Sequence, residues 1–524
     1  MLIQDEKAFA VTEKAVRKND FRDITAEYTL PDYLPDINRL LRVCADAERA
    51  EKYCSGSEIE YDGKIIYSIV YATGDGEIRC AVFDGDYSGS VSAGDLDFST
   101  VTVETHTENV SCRLSGPRKL TVKCKLCAAV SICPARSADP SVAGKGTQGT
   151  EEHLQYRKKR IEFTKETLAE EKNTPVSEDI EIDPGMPPIE RIVFVNLTPC
   201  ALDVRAQNGK ISYNGALTAE VLYESGADER KYVSFSRDVP VSGTVETDEA
   251  CDDSLILPDI EAVNISFRPQ TNELGETKTV ELDFDYSVYF RIFGKESADI
   301  TTDAYSTLCE TENEAESFRY TVPESLKTFN FSFGESEECG EEGSPNVIFA
   351  TAEAGLISAE KVGNRTSVCG NVTFYAIIES EGGGFASKTV VFPFKAETDA
   401  GKYAELFSHT AKTYASGVSV RAVGGKLYCD CEITVCLAIF GEKETEALTA
   451  TTVHTDRPVN KNRGFNIVLY YPTRGESLWS VAKKYSTTES RLSAANDGIK
   501  ELTAGSVLII PSEKPRSLAK KADP

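Results

Sequence analysis

Apolar and polar residues alternate with period two through most of this chain. In EIEYDGKIIYSIVYA, Ile59, Tyr61, Ile65, Tyr67 and Ile69 take inward strand positions with polar neighbours between them. Turn residues punctuate the pattern. Thr73-Gly74-Asp75-Gly76, Ser225-Gly226-Ala227-Asp228 and Gly382-Gly383-Gly384 mark hairpin tips. Asp62-Gly63 and Asn214-Gly215 read as tight turns or bulges, because glycine accepts positive φ. Strands at this spacing, with no long amphipathic helix between them, predict antiparallel sandwiches.

The alternation is itself repeated. Residues 37–79 align without gaps to 189–231, with Ile37/Ile189, Arg39/Arg191, Val43/Val195, Tyr61/Tyr213 and Gly63/Gly215 identical. A more diverged third copy starts near Asn346. Later in the unit, Val110-Ser111-Cys112-Arg113 corresponds to Ile265-Ser266-Phe267-Arg268 and to Val418-Ser419-Val420-Arg421. The unit is a whole domain recurring about every 150 residues, a common domain size. The expected fold is mainly β: three tandem antiparallel β-sandwich-like repeat domains at 5–135, 153–295 and 318–442, with a linker at 136–152. HLQYRKKRIEFTKETLAEEKN reads as an extended arm of the second domain.

The period changes near the end. Leu478, Val481, Ala482 and Tyr485 recur at i, i+3, i+4 and i+7, one face of a helix that Ser477 can cap and Gly475 can lead into. A second short helix starts at Thr488 and brings Leu492 inward. Ile467–Tyr470 and Val507–Ile510 bracket the pair as strands. A small βααβ domain is thus expected at 464–512, with a flexible tail at 513–524. Trp479, the only tryptophan, suits a core anchor in so small a unit.

Charge narrows the partners. With 84 acidic against 57 basic residues the net charge is −27, which repels nucleic acid. No stretch approaches the roughly 20 apolar residues of a membrane span. The opening MLIQDEKAFAVTEKAVRKND lacks the apolar segment of a signal peptide. A cytoplasmic protein is expected, with its 15 cysteines as thiols.

Chemistry is sparse. Cys124-Lys-Leu-Cys127 and Cys429, Cys431 and Cys436 look like ligand clusters. The copies replace Cys124 by Phe284, Cys429 by Val122 and Leu282, and Cys436 by Ala129 and Tyr289, so these are core positions. Asp84-Gly-Asp86 through Asp95 resembles a calcium loop, but its flanks read as strands and it ends in Asp. An acidic hairpin turn is expected there. His106, His153, His409 and His454 have no ligand-spaced partner, and no nucleophile–base motif occurs. No metal, cofactor or catalytic residue is expected. Arg113, Arg268 and Arg421 fall out of phase with their apolar neighbours and should face outward, as surface ion pairs or a shared docking surface.

Tyr471-Pro472, Gly475-Glu476-Ser477-Leu478-Trp479, Leu492, Asn496 and Val507-Leu508-Ile509-Ile510-Pro511 resemble the LysM domain, with Glu476 where that family usually has Asp. The resemblance implies a shallow groove for N-acetylglucosamine-containing glycans between the loops Arg474-Gly475-Glu476-Ser477 and Asn496-Asp497-Gly498-Ile499. Lead-ins such as LPDYLPDINRLLRVCADAE, followed by YDG, are similar to the SPOCS domain of spore-coat assembly proteins. In SipL-type proteins such domains precede a C-terminal LysM. That resemblance implies a non-enzymatic scaffold for coat assembly and encasement on the mother-cell side of the forespore. Its implied partner is a coat morphogenetic ATPase, with LysM binding a coat protein or a peptidoglycan- or chitin-like glycan. The alternatives are a glycan-binding cell-wall protein, and a hydrolase targeted by LysM.

Overall fold

The computed structural model describes residues 10–511 apart from 95–96, 144–152, 208, 227–230, 272–274, 341–344, 364, 400–406, 460–466 and 503–506. Asp95, most of the expected linker and the expected tail at 513–524 lie outside the described residues.

The first copy contains β1 (Ala10–Thr12), β2 (Val16–Thr29), β3 (Arg39–Ala47), β4 (Glu51–Ser55), β5 (Glu58–Ala72), β6 (Ile78–Ser92), β7 (Phe98–Gly116) and β8 (Lys119–Ser137). A short β9 (Ser141–Ala143) follows. The second copy contains β10 (Leu154–Glu181), β11 (Ile189–Pro199), β12 (Asp203–Gln207), β13 (Lys210–Ser225), β14 (Tyr232–Glu246), β15 (Leu255–Thr271) and β16 (Thr277–Ser306). The third contains β17 (Cys309–Glu338), β18 (Asn346–Val362), β19 (Arg365–Glu379), β20 (Phe385–Asp399), β21 (Phe407–Val423) and β22 (Lys426–Pro458). The C-terminal unit is β23 (Ile467–Tyr470), α1 (Leu478–Lys484), α2 (Glu489–Ala494) and β24 (Leu508–Pro511).

Each copy repeats one topology. In an outer sheet the closing strand lies between the opening and penultimate strands: β10-β16-β15, β17-β22-β21, and in the first copy β1 and β2 on one side of β8 with β7 on the other. An inner sheet pairs β5 with β3, β4 and β6, β13 with β11, β12 and β14, and β19 with β18 and β20. All these pairs are antiparallel. The inward residues of the two sheets form one apolar core per copy, for example Ile59, Ile65, Tyr67, Val122 and Leu126 in the first. Cys124 is 2% exposed within that core, and Cys429 and Cys431 lie in the third core. Each is a small buried hydrophobe, the role their substitution by Phe, Val and Leu predicts.

Two local readings change. Gly63 and Gly215 lie inside β5 and β13, not in turns. Gly63 is opposite Tyr87 in the ladder, and a Cβ there would stand 2.5 Å from the Tyr87 hydroxyl. The glycine is needed for space: the Tyr87 ring lies across it, and its hydroxyl donates to Glu48 O at 2.7 Å. Likewise Asp84-Gly-Asp86 belongs to β6 and pairs with Ile66, Ile65 and Lys64, so the acidic stretch is strand rather than turn.

The copies are not beads on a string. β3, β11 and β18 share a register slip at the same place in each copy, which leaves Leu41, Val193 and Ile348 as bulge residues. These three join Val70, Leu222 and Ile377, and Ile78, Tyr232 and Phe385, in one apolar cluster shared by all three copies. At about 1.5–3 kcal/mol per fully buried large apolar side chain, this cluster is a substantial interface. Beside the bulges, Phe194 and Phe349 meet edge to face at 5.7 Å, and the first copy supplies Arg42 in the matching place. Its guanidinium lies 5.8, 5.7 and 5.1 Å from the rings of Phe194, Phe349 and Tyr375, a cation–π arrangement.

A second meeting point is ionic. Glu104, Asp259 and Lys412 hold the same register in β7, β15 and β21, opposite Ala129, Tyr289 and Cys436. Lys412 Nζ reaches Asp259 at 2.7 Å and Glu104 at 3.3 Å. Arg291 pairs with Glu104 at 3.1 Å and with Glu166 at 2.8 Å. Beyond it, β16 continues past residue 295 and β22 past residue 442. Their far ends pair with β10 and β17, and with Val11 and Ala138 they close an apolar stem around Phe163, Ile300, Phe318 and Tyr320. β9 adds to this stem in parallel with β22.

Desolvation opposes the charge on Glu104, but Lys412, Arg291 and Arg49 outweigh it and hold its carboxyl down at about 2. A depressed carboxylate contributes stability that is complete above its ordinary value of 4.5 and is lost as pH falls toward 2. Glu104→Gln should therefore cost about 2 kcal/mol at neutral pH, from the charged hydrogen bonds it breaks. Urea melts at stepped pH should show the variant and wild type converging between 4.5 and 2.

Candidate functional site

The C-terminal unit is built around one small core. Leu478, Val481, Ala482 and Leu492 pack on Leu508 and Ile510 of β24. Tyr485 is half-buried and meets Tyr470 edge to face at 5.4 Å. Ser477 caps α1 by accepting from Ser480 N at 3.2 Å, and Ser480 Oγ accepts from Ser477 N at 3.0 Å. Thr488 caps α2 by accepting from Arg491 N at 3.2 Å.

The two expected groove loops are tied to neighbouring rungs of one ladder. Glu476 accepts from Tyr470 of β23 at 2.7 Å and from Thr473 N at 2.7 Å. The Thr473 N–H first, then the Tyr470 hydroxyl, lower its carboxyl below the usual range. Asn496 donates to Leu492 O and Ile509 O at 2.8 Å and accepts from Ile509 N at 2.7 Å. Tyr470 pairs with Leu508 and Leu469 with Ile509, so residues 474–477 and 496–499 are held side by side. Gly475 has φ +91° with open space where a Cβ would stand, so its role is conformational. Asp497 and Gly498 also take positive φ, 55° and 78°, as α2 ends with Gly498 N donating to Ser493 O at 2.9 Å.

Of the eight candidate residues, the side chains of Glu476, Ser477 and Asn496 are committed to holding the loops. Ile499 is half-buried against the core. Arg474, Gly475, Asp497 and Gly498 are exposed. A ligand would meet the Arg474 and Asp497 side chains and the backbone of the two turns.

Trp479 does more than anchor its own module. Its indole N–H donates to Asp303 of β16 at 2.7 Å, and its ring meets Tyr305 edge to face at 4.9 Å. Lys483 Nζ reaches the other Asp303 oxygen at 2.5 Å, and the Tyr305 hydroxyl donates to Thr487 O at 2.7 Å. The C-terminal unit is thus docked on the end of the stem through α1 and the turn before α2. No spacing in the sequence links Asp303 to Trp479. The hint available there is a tryptophan with a polar N–H in so small a core.

The three arginines lie near the tips of separate hairpins, exposed. Arg268 pairs with Glu281, and Arg421 with Asp430 at 3.0 Å. A set of groups that linear spacing did not reveal also comes together: ligand atoms of His106, Glu108 and Cys127 lie within 4.8 Å of one another. Clefts form between copies, one of about 660 Å³ lined by Arg42, Asp46, His106, Glu353 and Lys388.

The fold defines a mainly β, multi-module protein with a small docked βααβ unit. Residues 188–268, the heart of the second copy, match the family model described as SipL, SPOCS domain, and residues 473–511 match the LysM domain. The chain therefore has the SipL-type order of modules, with LysM after SPOCS. These domains fit a sporulation-related protein carrying a module of the peptidoglycan- or N-acetylglucosamine-binding kind, and both are binding modules rather than catalytic ones. No curated protein and no solved structure matches the chain. No helix among the described residues is long and apolar enough to cross a membrane.

The single tryptophan reports on docking. Asp303→Ala breaks the hydrogen bond from Trp479 and the ion pair with Lys483. Tryptophan emission should shift to the red and become more quenchable by iodide, while far-ultraviolet circular dichroism stays unchanged. Unaltered emission would mean that this contact does not hold the unit in place.

Proposed function

We propose that the chain is a non-enzymatic scaffold for spore-coat assembly and encasement, acting in the cytoplasm of the mother cell at the forespore surface. The SPOCS-like copies dock protein, with a coat morphogenetic ATPase as partner, and the LysM unit engages a coat protein or an N-acetylglucosamine-containing glycan. The observation that carries this reading is the docked LysM. Its two groove loops are held by internal bonds and its α1 face is taken by the stem, so one ligand-facing edge is presented from a large body. Linked modules raise effective concentration, so weak single contacts suffice for localisation. The exposed hairpin tips that carry Arg113, Arg268 and Arg421 supply the protein-docking surface, with Arg268 and Arg421 presented as ion pairs with Glu281 and Asp430. With a net charge of −27, the chain suits a protein or neutral-glycan partner over a polyanion.

A glycan-binding wall protein is the second reading, favoured by the LysM match itself. One pull-down separates the two. Full-length protein is offered insoluble peptidoglycan and, separately, a lysate of sporulating cells. The scaffold reading expects recovery of a coat ATPase from the lysate, little changed in Arg474→Ala/Asp497→Ala. Retention on peptidoglycan that drops at least tenfold in that double variant, with no coat protein recovered, would establish the wall reading instead.

A further inference from the structure

We propose that His106, Glu108 and Cys127 form a binding site for a thiophilic divalent cation, zinc by preference, on the outer sheet of the first copy. Strand pairing, not sequence spacing, builds this set. His106 on β7 is directly opposite Cys127 on β8, and the register slips between Thr107 and Asn109 so that Glu108 is the extra residue of a bulge. One imidazole nitrogen, one sulfur and one carboxylate oxygen result, all within 4.8 Å of one another. Ligands sharing one tetrahedral zinc ion stand roughly 3.5 Å apart, given bond lengths of about 2.0–2.3 Å. Small side-chain rotations close that gap, since His106 and Glu108 are both exposed beside the buried Cys127.

The repeat gives an internal comparison. The pairs in the same register of the other copies are Glu261 with Ser287 and Tyr414 with Thr434. Those side chains have other work. Glu261 accepts from Arg49 N at 3.0 Å, and the Tyr414 hydroxyl donates to Pro258 O at 3.3 Å, both contacts to a neighbouring copy. In the first copy the position is not spent on such a contact, and His106 lines the open cleft toward the third copy. Cys127 also differs from Cys124. Cys124 belongs to the sandwich core, whereas Cys127 lies three residues on, on the opposite face, with Phe21 as its cross-strand neighbour on β2.

Binding has one competitor, the ion pair between Lys125 and Glu108 at 2.8 Å. Lys125 is exposed, and such pairs are worth under about 1 kcal/mol, less than a zinc–carboxylate bond offers. On binding, the Cys127 thiol gives its proton to solvent and ligates as thiolate, His106 ligates as neutral imidazole, and Glu108 as carboxylate. The two negative ligands balance the dication, and water completes the tetrahedron.

The test is a titration of the full-length, reduced protein with cobalt(II), whose sulfur-to-metal charge-transfer band reports thiolate ligation directly. One equivalent should raise that band together with tetrahedral d–d absorption, and zinc should displace both. Cys127→Ser and His106→Ala should each abolish the band with circular dichroism unchanged. Glu108→Gln, an exposed and conservative change, should keep the band but weaken binding at least tenfold. Absence of the sulfur band in the wild type, or its persistence at full strength in both Cys127→Ser and His106→Ala, overturns the proposal.

Discussion

A bulge shared by all three copies near the start of the inner sheet is the feature on which everything larger in the molecule depends. The bulge turns Leu41, Val193 and Ile348 away from their own ladders and into a common apolar cluster with Val70, Leu222 and Ile377. A sandwich that buries only its own two inner faces would be self-sufficient. Here each copy carries a second apolar patch that water would penalise, and only its two sister copies cover it. Three covalently linked domains therefore pack as subunits of a closed ring do, with matching residues meeting at one place. The copies differ where they touch. Arg42 stands where the others have phenylalanine and lies over both rings, and Lys412 stands where the others have carboxylates and pairs with both.

This closure has consequences for binding. Surfaces that recur in all three copies are not all open for partners, because the inner-sheet bulges and the Glu104, Asp259 and Lys412 positions of β7, β15 and β21 are used internally. What remains outward are hairpin tips, the clefts between copies and the docked LysM unit. The stem matters most for the last. β16 is long because its far end must reach the stem, and that extension carries Asp303 and Tyr305, the platform for Trp479. The LysM unit is small enough to be marginal alone, and docking adds apolar burial to its core. It also fixes the direction its two groove loops face.

Much of this was legible in the chain. Period-two alternation around Ile59–Ile69, the gapless match of 37–79 to 189–231 and the diverged copy from Asn346 carry the fold and its triplication. The i, i+3, i+4, i+7 run from Leu478 and the capping serine carry the LysM helices. Local signals sufficed because alternation and capping are local physics. Gly63 was misread because glycine signals both a turn and a close approach, and only the cross-strand position of Tyr87 tells them apart. The same limit hid the His106–Cys127 pairing, which depends on register, and the Asp303–Trp479 contact, which depends on how whole domains dock. Glu476 and Asn496 lie in the loops beside α1 and α2, but their hydrogen bonds turn inward to β23 and β24, which a motif cannot reveal.

The central claim is that the three copies share one core and stand or loosen together. Hydrogen exchange of full-length Leu222→Asp tests it most directly. The substitution puts a charge into the shared cluster from the second copy alone. The account predicts that protection falls not only in β13 but also in β5 and β19 of the neighbouring copies. Loss of protection confined to the second copy, with β5 and β19 exchanging as in the wild type, would contradict it.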